Sequence, residues 1–148
     1  MPISQASPGL QRINYLTAEI DAVYHTAAKK MGISDSAMQI LYAVCNYGEP
    51  CPLREISRLS GISKQTVNSA LRKLEAEGIL YLEPCGLKKK MIRLTPLGNE
   101  LAQRTALKLI EIENQIFGAW STEDQELYIA LTQRYLNAFK DQVDRLEI

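Results

Sequence analysis

The sequence has little of what most catalytic and metal sites need: of its 148 residues one is a histidine, His25, and three are cysteines. Cys45, Cys51 and Cys85 form no C-x-x-C pair, which argues against a disulfide framework and favours a reducing, cytoplasmic location. No apolar run approaches the ~18 residues of a membrane span. The N-terminal segment also lacks the basic and apolar regions of a secretory signal. Without a nucleophile–base pair, a phosphate loop or a metal cluster, we predict no enzyme, cofactor or metal.

The sequence also has no excess of either charge, because 17 lysines and arginines balance 17 aspartates and glutamates. The balance is uneven along the chain. Residues 54–93 include nine basic and four acidic residues, a net of +5, so the remainder has eight basic and thirteen acidic residues, a net of −5. A basic middle between acidic ends is typical of a polyanion-binding module on a scaffold that does not itself bind polyanions.

Hydrophobic periodicity predicts helices separated by capping and turn residues, after a loose tail at residues 1–9. The first predicted helix is residues 10–31, and the second runs from an N-cap at Ser34 to the segment NYGEPCP. A short helix follows from Pro52 to Leu59, with Leu53, Ile56 and Leu59 facing inward, and another covers residues 64–77 after an N-cap at Ser63. One long helix runs from Thr95-Pro96 to a break near Gly118, and a last helix runs from an N-cap at Ser121 through residue 148. Two strands, ILYLE and KMIRL, flank the turn PCGLK.

The order of these elements predicts a winged helix. A short helix and the tight SGIS connection precede a helix with a polar surface, which is typical of a helix-turn-helix, and the hairpin that follows would be its wing. The predicted fold class is therefore mainly α with a small β-hairpin wing. We assign residues 34–95 to this lobe.

The polar helix and the hairpin have side chains suited to duplex DNA. Gln65 and Asn68 could pair with adenine N6 and N7, and the Thr66 methyl could contact a thymine methyl. Lysines on a hairpin suit phosphates or a minor groove. The alternative interpretation is a solvated polar surface, for the helix and for the lysine run alike. The predicted DNA contacts are Arg54, Arg58, Ser63, Lys64, Gln65, Thr66, Asn68, Ser69, Arg72, Lys73, Lys88, Lys89 and Lys90.

Three segments, SDSAMQILYAV, PLREISRLSGISKQTVNSALRKLEAEGIL and KKKMIRLTPLG, together resemble the MarR (multiple-antibiotic-resistance regulator) family of bacterial transcription factors. The resemblance covers about residues 10–143. It implies a homodimeric regulator, a repressor, on a pseudo-palindromic operator, with one helix in the major groove and the wing in the adjacent minor groove. Two features depart from the family. Gly86 and Lys88 stand where wings often have Asp-x-Arg, and Ser69 replaces a basic residue common in the family's reading helix.

The terminal helices have broad apolar stripes that a domain of this size would struggle to cover, so residues 10–31 and 97–148 are predicted to form a dimer. Packing within a single chain is the alternative. The resemblance also implies a small phenolic or lipophilic effector. Candidate lining residues, which could equally be ordinary packing residues, are Tyr15, Tyr24, His25, Tyr42 and Tyr47. A winged helix that binds another protein instead of DNA is the rival hypothesis for the whole chain.

Overall fold

Seven helices and a three-stranded sheet are found in residues 4–148, the part of the chain that the structure, a computed structural model, describes. In chain order they are α1 (Pro8–Lys30), α2 (Asp35–Tyr47), β1 (Cys51–Pro52), α3 (Leu53–Ser60), α4 (Lys64–Ala76), β2 (Leu80–Cys85), β3 (Lys89–Leu94), α5 (Pro96–Arg104), α6 (Ala106–Gly118) and α7 (Thr122–Asp144). The predicted fold class, mainly α with a hairpin wing, is confirmed.

Hydroxyl side chains fix the beginnings of four helices, as the sequence predicts. The hydroxyl oxygens of Ser34, Ser63 and Ser121 accept the backbone N–H groups of residues 37, 66 and 124 at 3.2, 3.2 and 3.1 Å. Thr95 does the same for the N–H of Gly98 at 3.0 Å, with proline at the next position. Each bond satisfies a donor that the first turn of a helix would otherwise leave without a partner.

The first helix begins earlier than predicted. Ser7 is its N-cap, accepting the N–H of Leu10 at 3.3 Å, and Pro8 is the first helical residue. Proline favours that position because its missing N–H would have no helical partner there. The predicted loose tail is therefore wrong for residues 8 and 9, and its first three residues lie outside the described part of the chain.

The predicted long helix from residue 96 to residue 118 is two helices. Thr105, which is buried, ends α5 with φ −128° and ψ −93°, and its hydroxyl donates to the carbonyl of Leu101 at 2.6 Å. A threonine that bonds back to the preceding turn can bend a helix, but Thr26 and Thr132 make the same bond within continuous helices. The bond therefore accompanies the break at Thr105 and does not by itself cause it. The last helix also differs from the prediction, since it ends at Asp144 rather than continuing through residue 148.

The sheet has a strand that the sequence analysis missed. β1 pairs antiparallel with β3 through Cys51 and Pro52, giving the strand order β1-β3-β2. The two hairpin strands pair from Leu80 opposite Leu94 to Cys85 opposite Lys89. The hairpin therefore reaches two residues beyond the predicted ILYLE strand, and its loop is only residues 86–88.

Helix α2 lies at the centre of the core, with Ile40 and Leu41 fully buried. The buried set also includes Ile56, Val67, Leu71, Leu74, Leu80 and Ile92 from α3, α4 and the sheet. Leu53 packs partly buried against this core, but Leu59 is 46% exposed, so its predicted inward orientation is wrong.

The chain divides into two compact units, one ending at Ile110 and the other spanning Glu111–Ile148. Within the second, Phe117, Trp120 and Tyr128 form an aromatic cluster with ring centroids 5.3–6.3 Å apart. None of the helices in residues 4–148 combines the length and apolar character required to cross a bilayer.

Candidate nucleic-acid interface

The connection between α3 and α4 is a tight turn built on Gly61. Gly61 has a left-handed φ of +66°, a region that residues with a Cβ rarely adopt, and its N–H donates to the carbonyl of Ser57 at 3.1 Å. The Ser60 hydroxyl donates to the carbonyl of Ile56 at 2.6 Å. Helix α4 then begins after Ser63, so the two helices form the predicted helix-turn-helix.

Helix α4 is held by its apolar stripe. Val67, Leu71 and Leu74 are each no more than 3% exposed, and Ala70 is half-buried beside them. The Ser63 hydroxyl is 2.8 Å from the Thr66 hydroxyl as well as capping the helix. The Thr66 hydroxyl is therefore occupied within the protein. Its methyl group remains for an outside contact, consistent with the predicted thymine contact.

The predicted contact residues of α3 and α4 are exposed in all but one case. Asn68 is half-buried, so it presents less of its amide to solvent than Gln65 does. Arg58 lies 3.6 Å from the Glu55 carboxylate, which partly compensates its charge. The exposed members are Arg54, Arg58, Ser63, Lys64, Gln65, Thr66, Ser69, Arg72 and Lys73.

A Schellman motif joins α4 to the hairpin. The N–H of Ile79 donates to the carbonyl of Leu74 at 2.9 Å, and the N–H of Gly78 donates to that of Glu75 at 3.0 Å. Gly78 has the left-handed φ of +76° that this motif requires. The buried side chain of Ile79 then leads directly into β2. The position of the hairpin relative to α4 is thus fixed by two hydrogen bonds and one buried side chain.

The hairpin has one ion pair, between Glu83 and Arg93, and three further cations, the consecutive lysines 88–90. Arg93 of β3 donates to the Glu83 carboxylate of β2, and this hydrogen bond together with the charge attraction raises the pKa of Arg93. Lys88, Lys89 and Lys90 are exposed, and within residues 4–148 none of them lies in ion-pair distance of a carboxylate. The only acid of the hairpin is therefore compensated, and the three lysines remain available to a polyanion. The sequence analysis did not foresee the Glu83–Arg93 pair because cross-strand register decides it.

Three of the five predicted effector residues line one cleft. Tyr24, His25 and Tyr42 border a space of about 550 Å³ between α1 and α2, together with Leu59 and Leu109. His25 Nδ1 is 2.6 Å from Asp35 Oδ2 at its edge. Tyr47 lines a separate cleft of about 320 Å³ beside Arg58, and Tyr15 lines neither. The predicted set is thus not brought together as one site.

The cysteines differ in exposure. Burial, followed by the nearby carboxylates of Glu49 and Glu55 respectively, raises the pKa values of Cys45 and Cys51 to about 11, so both remain thiols near neutral pH. Cys85 is exposed on β2. Among the described residues, no group of three or more histidine, cysteine, aspartate or glutamate side chains is placed to hold a metal ion.

Comparison with known proteins agrees with this geometry. Residues 31–90, which contain α2, the helix-turn-helix and most of the hairpin, match the MarR family. Over these residues the winged-helix lobe is similar to the MarR family. The resemblance predicted from the sequence is confirmed.

Similarity to a relative in sequence, and to solved structures in fold, extends beyond the lobe. The chain is 26% identical over 124 residues to YxaD, an uncharacterized HTH-type transcriptional regulator of Bacillus subtilis, covering 81% of this chain and 86% of YxaD. The fold is similar to the Oenococcus oeni MarR transcription regulator, with a TM-score of 0.67 at 18% identity, covering 86% of this chain and 97% of that one. The fold is also similar to Staphylococcus aureus MepR, solved as a DNA complex, with a TM-score of 0.66 at 19% identity, covering 86% of this chain and 93% of MepR. YxaD and the Oenococcus oeni protein are both named as transcription regulators, which agrees with the prediction that this chain is not an enzyme.

Proposed function

We propose that this protein is a sequence-specific, duplex DNA-binding transcription regulator that acts as a homodimeric repressor on a pseudo-palindromic operator and responds to a small ligand. In this proposal α4 lies in the major groove and the hairpin reaches the adjacent minor groove. The MarR-family lobe and the DNA-bound structure of MepR support the DNA-binding part. A winged helix that binds another protein is the outcome that would replace it.

The observation that carries the proposal is that one compact unit presents two surfaces, one on α4 and one on the hairpin. The exposed polar residues at the start of α4 are of the types that pair with base edges. The hairpin fixed to the other end of α4 presents three lysines without carboxylate partners, which suits phosphates. Residues that distinguish bases and residues that hold the backbone are both needed for specific recognition.

The Gln65→Ala variant tests direct recognition of bases. An operator is first selected with the unaltered protein from random duplexes, and affinities are then measured for that operator and for a scrambled duplex. We expect the discrimination between the two to fall by about 1–3 kcal/mol per half-site, because a bidentate base contact is lost. Affinity for the scrambled duplex should be retained, since phosphate contacts remain.

Gln103→Ala is the matched control, because Gln103 is an exposed glutamine on α5, outside the proposed interface. It should leave both affinities unchanged. If Gln65→Ala keeps the full discrimination of the unaltered protein, Gln65 does not recognise a base, and the orientation proposed for α4 is wrong.

The proposed dimer would cover apolar surface that a single chain exposes. Only Ala28 is buried in α1, and no residue is buried in α7. The exposed apolar residues include Leu10, Ile13, Leu16 and Ile20 in α1 and Leu131, Tyr135, Phe139 and Val143 in α7, with Leu146 just beyond it. A helix that exposes an apolar stripe of this kind is typical of an interface. At micromolar concentration, sedimentation equilibrium should give twice the 16.6 kDa chain mass, and a single-chain mass would refute the dimer.

The proposed effector site is the cleft between α1 and α2. Its volume of about 550 Å³ is in the range of small-molecule sites, and the polar tips of Tyr24, His25 and Tyr42 lie beside apolar lining residues. We expect p-cresol, used as a phenolic probe in calorimetry, to bind the unaltered protein and Tyr15→Ala, because Tyr15 lies outside the cleft. Binding should weaken in His25→Ala. If Tyr15→Ala and His25→Ala bind p-cresol equally well, the phenol does not bind in the cleft between α1 and α2.

A further inference from the structure

The tip of the hairpin presents an apolar side chain in the middle of its cations. The three-residue loop between the paired residues Cys85 and Lys89 is Gly86, Leu87 and Lys88. Gly86, the first residue of the loop, has a φ of +77°, in the left-handed region that glycine adopts readily. Leu87 is therefore the central residue of the loop.

Leu87 makes little contact with its own chain. Its exposure is 103% of the reference value, and among the described large apolar residues only the C-terminal Ile148 is more exposed. It packs against no core residue, so folding of the lobe does not require leucine at this position. A lone exposed leucine on a protein surface is ordinary. This one differs in its place, at the centre of the hairpin loop and next to three exposed lysines in sequence.

We propose that Leu87 is a minor-groove wedge, an apolar contact inserted against base and sugar edges while the adjacent lysines hold the phosphates on either side. The proposal rests on the proposed DNA-binding function and adds a specificity-determining residue to it. Leucine is among the apolar side chains that enter the minor groove and partly unstack a base step. Such a contact favours base steps that deform easily, so the wing would select DNA shape without an arginine at its tip.

The charge around the tip favours DNA as the occupant over an apolar protein groove. The Glu83–Arg93 pair leaves the hairpin with the three lysine charges and no unpaired acid. An apolar groove on a partner protein would have to accept all three cations together with one leucine. A nucleic-acid minor groove, by contrast, has phosphates along both edges and apolar sugar surfaces within.

The experiment compares Leu87→Ala with Leu87→Met on a selected operator and reads both affinity and salt dependence. We expect Leu87→Ala to weaken binding by about tenfold per half-site, because most of a buried leucine contact is lost. The slope of log K against log salt should be unchanged, since no phosphate contact is removed. Leu87→Met should retain affinity within about threefold, because methionine also serves as an apolar wedge. Leu87 is fully exposed, so both variants should fold.

A second readout reports the base step itself. 2-Aminopurine placed at positions flanking each half-site should brighten when the unaltered protein unstacks it, and Leu87→Ala should abolish that signal. Unchanged affinity and fluorescence in Leu87→Ala would overturn the wedge while leaving the DNA-binding function intact. A Leu87→Met variant as weak as alanine, or a reduced salt slope in Leu87→Ala, would also overturn it. If the unaltered protein binds no duplex, the proposed function itself fails.

Discussion

Replacing Lys88, Lys89 and Lys90 together with alanine should nearly abolish binding to duplex DNA at physiological salt. A dimer would lose six cations, and each phosphate contact contributes about 0.9 to the slope of log K against log salt. If every lysine holds one phosphate, the slope should become shallower by about 5, and affinity at ~0.15 M salt should fall roughly 10³–10⁴-fold. The loss should be similar for operator and scrambled duplex, because phosphates are the same in both.

The matched control removes three exposed lysines from elsewhere in the chain, Lys30, Lys108 and Lys140. This variant changes net charge equally, so it separates contacts made by the hairpin from the general attraction of a cation for DNA. It should alter the slope by less than about 1, since long-range effects are screened at this salt concentration. Equal losses in the two triple variants would show that the hairpin lysines do not contact phosphates.

Gly98→Ala should strongly destabilise the compact unit that ends at Ile110. A Cβ at Gly98 would lie 1.9 Å from the carbonyl oxygen of Ile79, which is backbone and cannot rotate away. That oxygen also accepts the N–H of Thr95 at 3.0 Å and its hydroxyl at 3.1 Å, so relieving the clash would disturb the junction between β2 and the start of α5. We expect the free energy of unfolding to fall by about 3 kcal/mol.

Gly118→Ala is the control for this change, because a Cβ there meets no atom within 4 Å and Gly118 lies in a helix without a positive φ. It should be neutral or slightly stabilising. Urea unfolding of both variants at one protein concentration makes the comparison, since a dimer's apparent stability depends on concentration. A Gly98→Ala variant as stable as the unaltered protein would show that α5 does not approach Ile79 this closely.

Local signals in the sequence were sufficient to predict most helix beginnings and the helix-turn-helix. Ser34, Ser63 and Thr95 are hydroxyl residues directly before apolar-periodic segments, and each one caps its helix. The stripe that holds α4 follows from spacing alone, because residues three and four apart share one side of a helix.

Features that depend on tertiary partners were not predictable in this way. The pairing of β1 with β3 joins residues about 40 positions apart, and two residues carry no strand periodicity. The break at Thr105 has no signal in the sequence pattern, because threonines at 26 and 132 make the same bond to the preceding turn within continuous helices. Leu59 has the spacing of a core residue but lies at the edge of two clefts.

The candidate DNA interface likewise has some features that the sequence predicted and others that only the structure shows. Residue type and position were enough to nominate Gln65 and the three hairpin lysines, which are all exposed. Ion pairs between side chains were not predictable from the sequence, which therefore did not show that the carboxylate of Glu55 compensates the charge of Arg58. The sequence analysis missed Leu87 because an apolar residue in a predicted turn resembles a residue that packs against the core. Only its full exposure at the tip of the hairpin distinguishes it.

Binding of the unaltered protein to duplex DNA as a function of salt tests the central claim most directly. Fluorescence anisotropy with a random-sequence duplex, from about 50 to 200 mM salt, needs no knowledge of the operator. We predict measurable binding at the low end and a decrease of about 10³-fold or more across the range, as expected for at least six phosphate contacts. No binding at 50 mM salt, or binding that salt does not weaken, would contradict a role in DNA recognition and favour a protein partner for this winged helix.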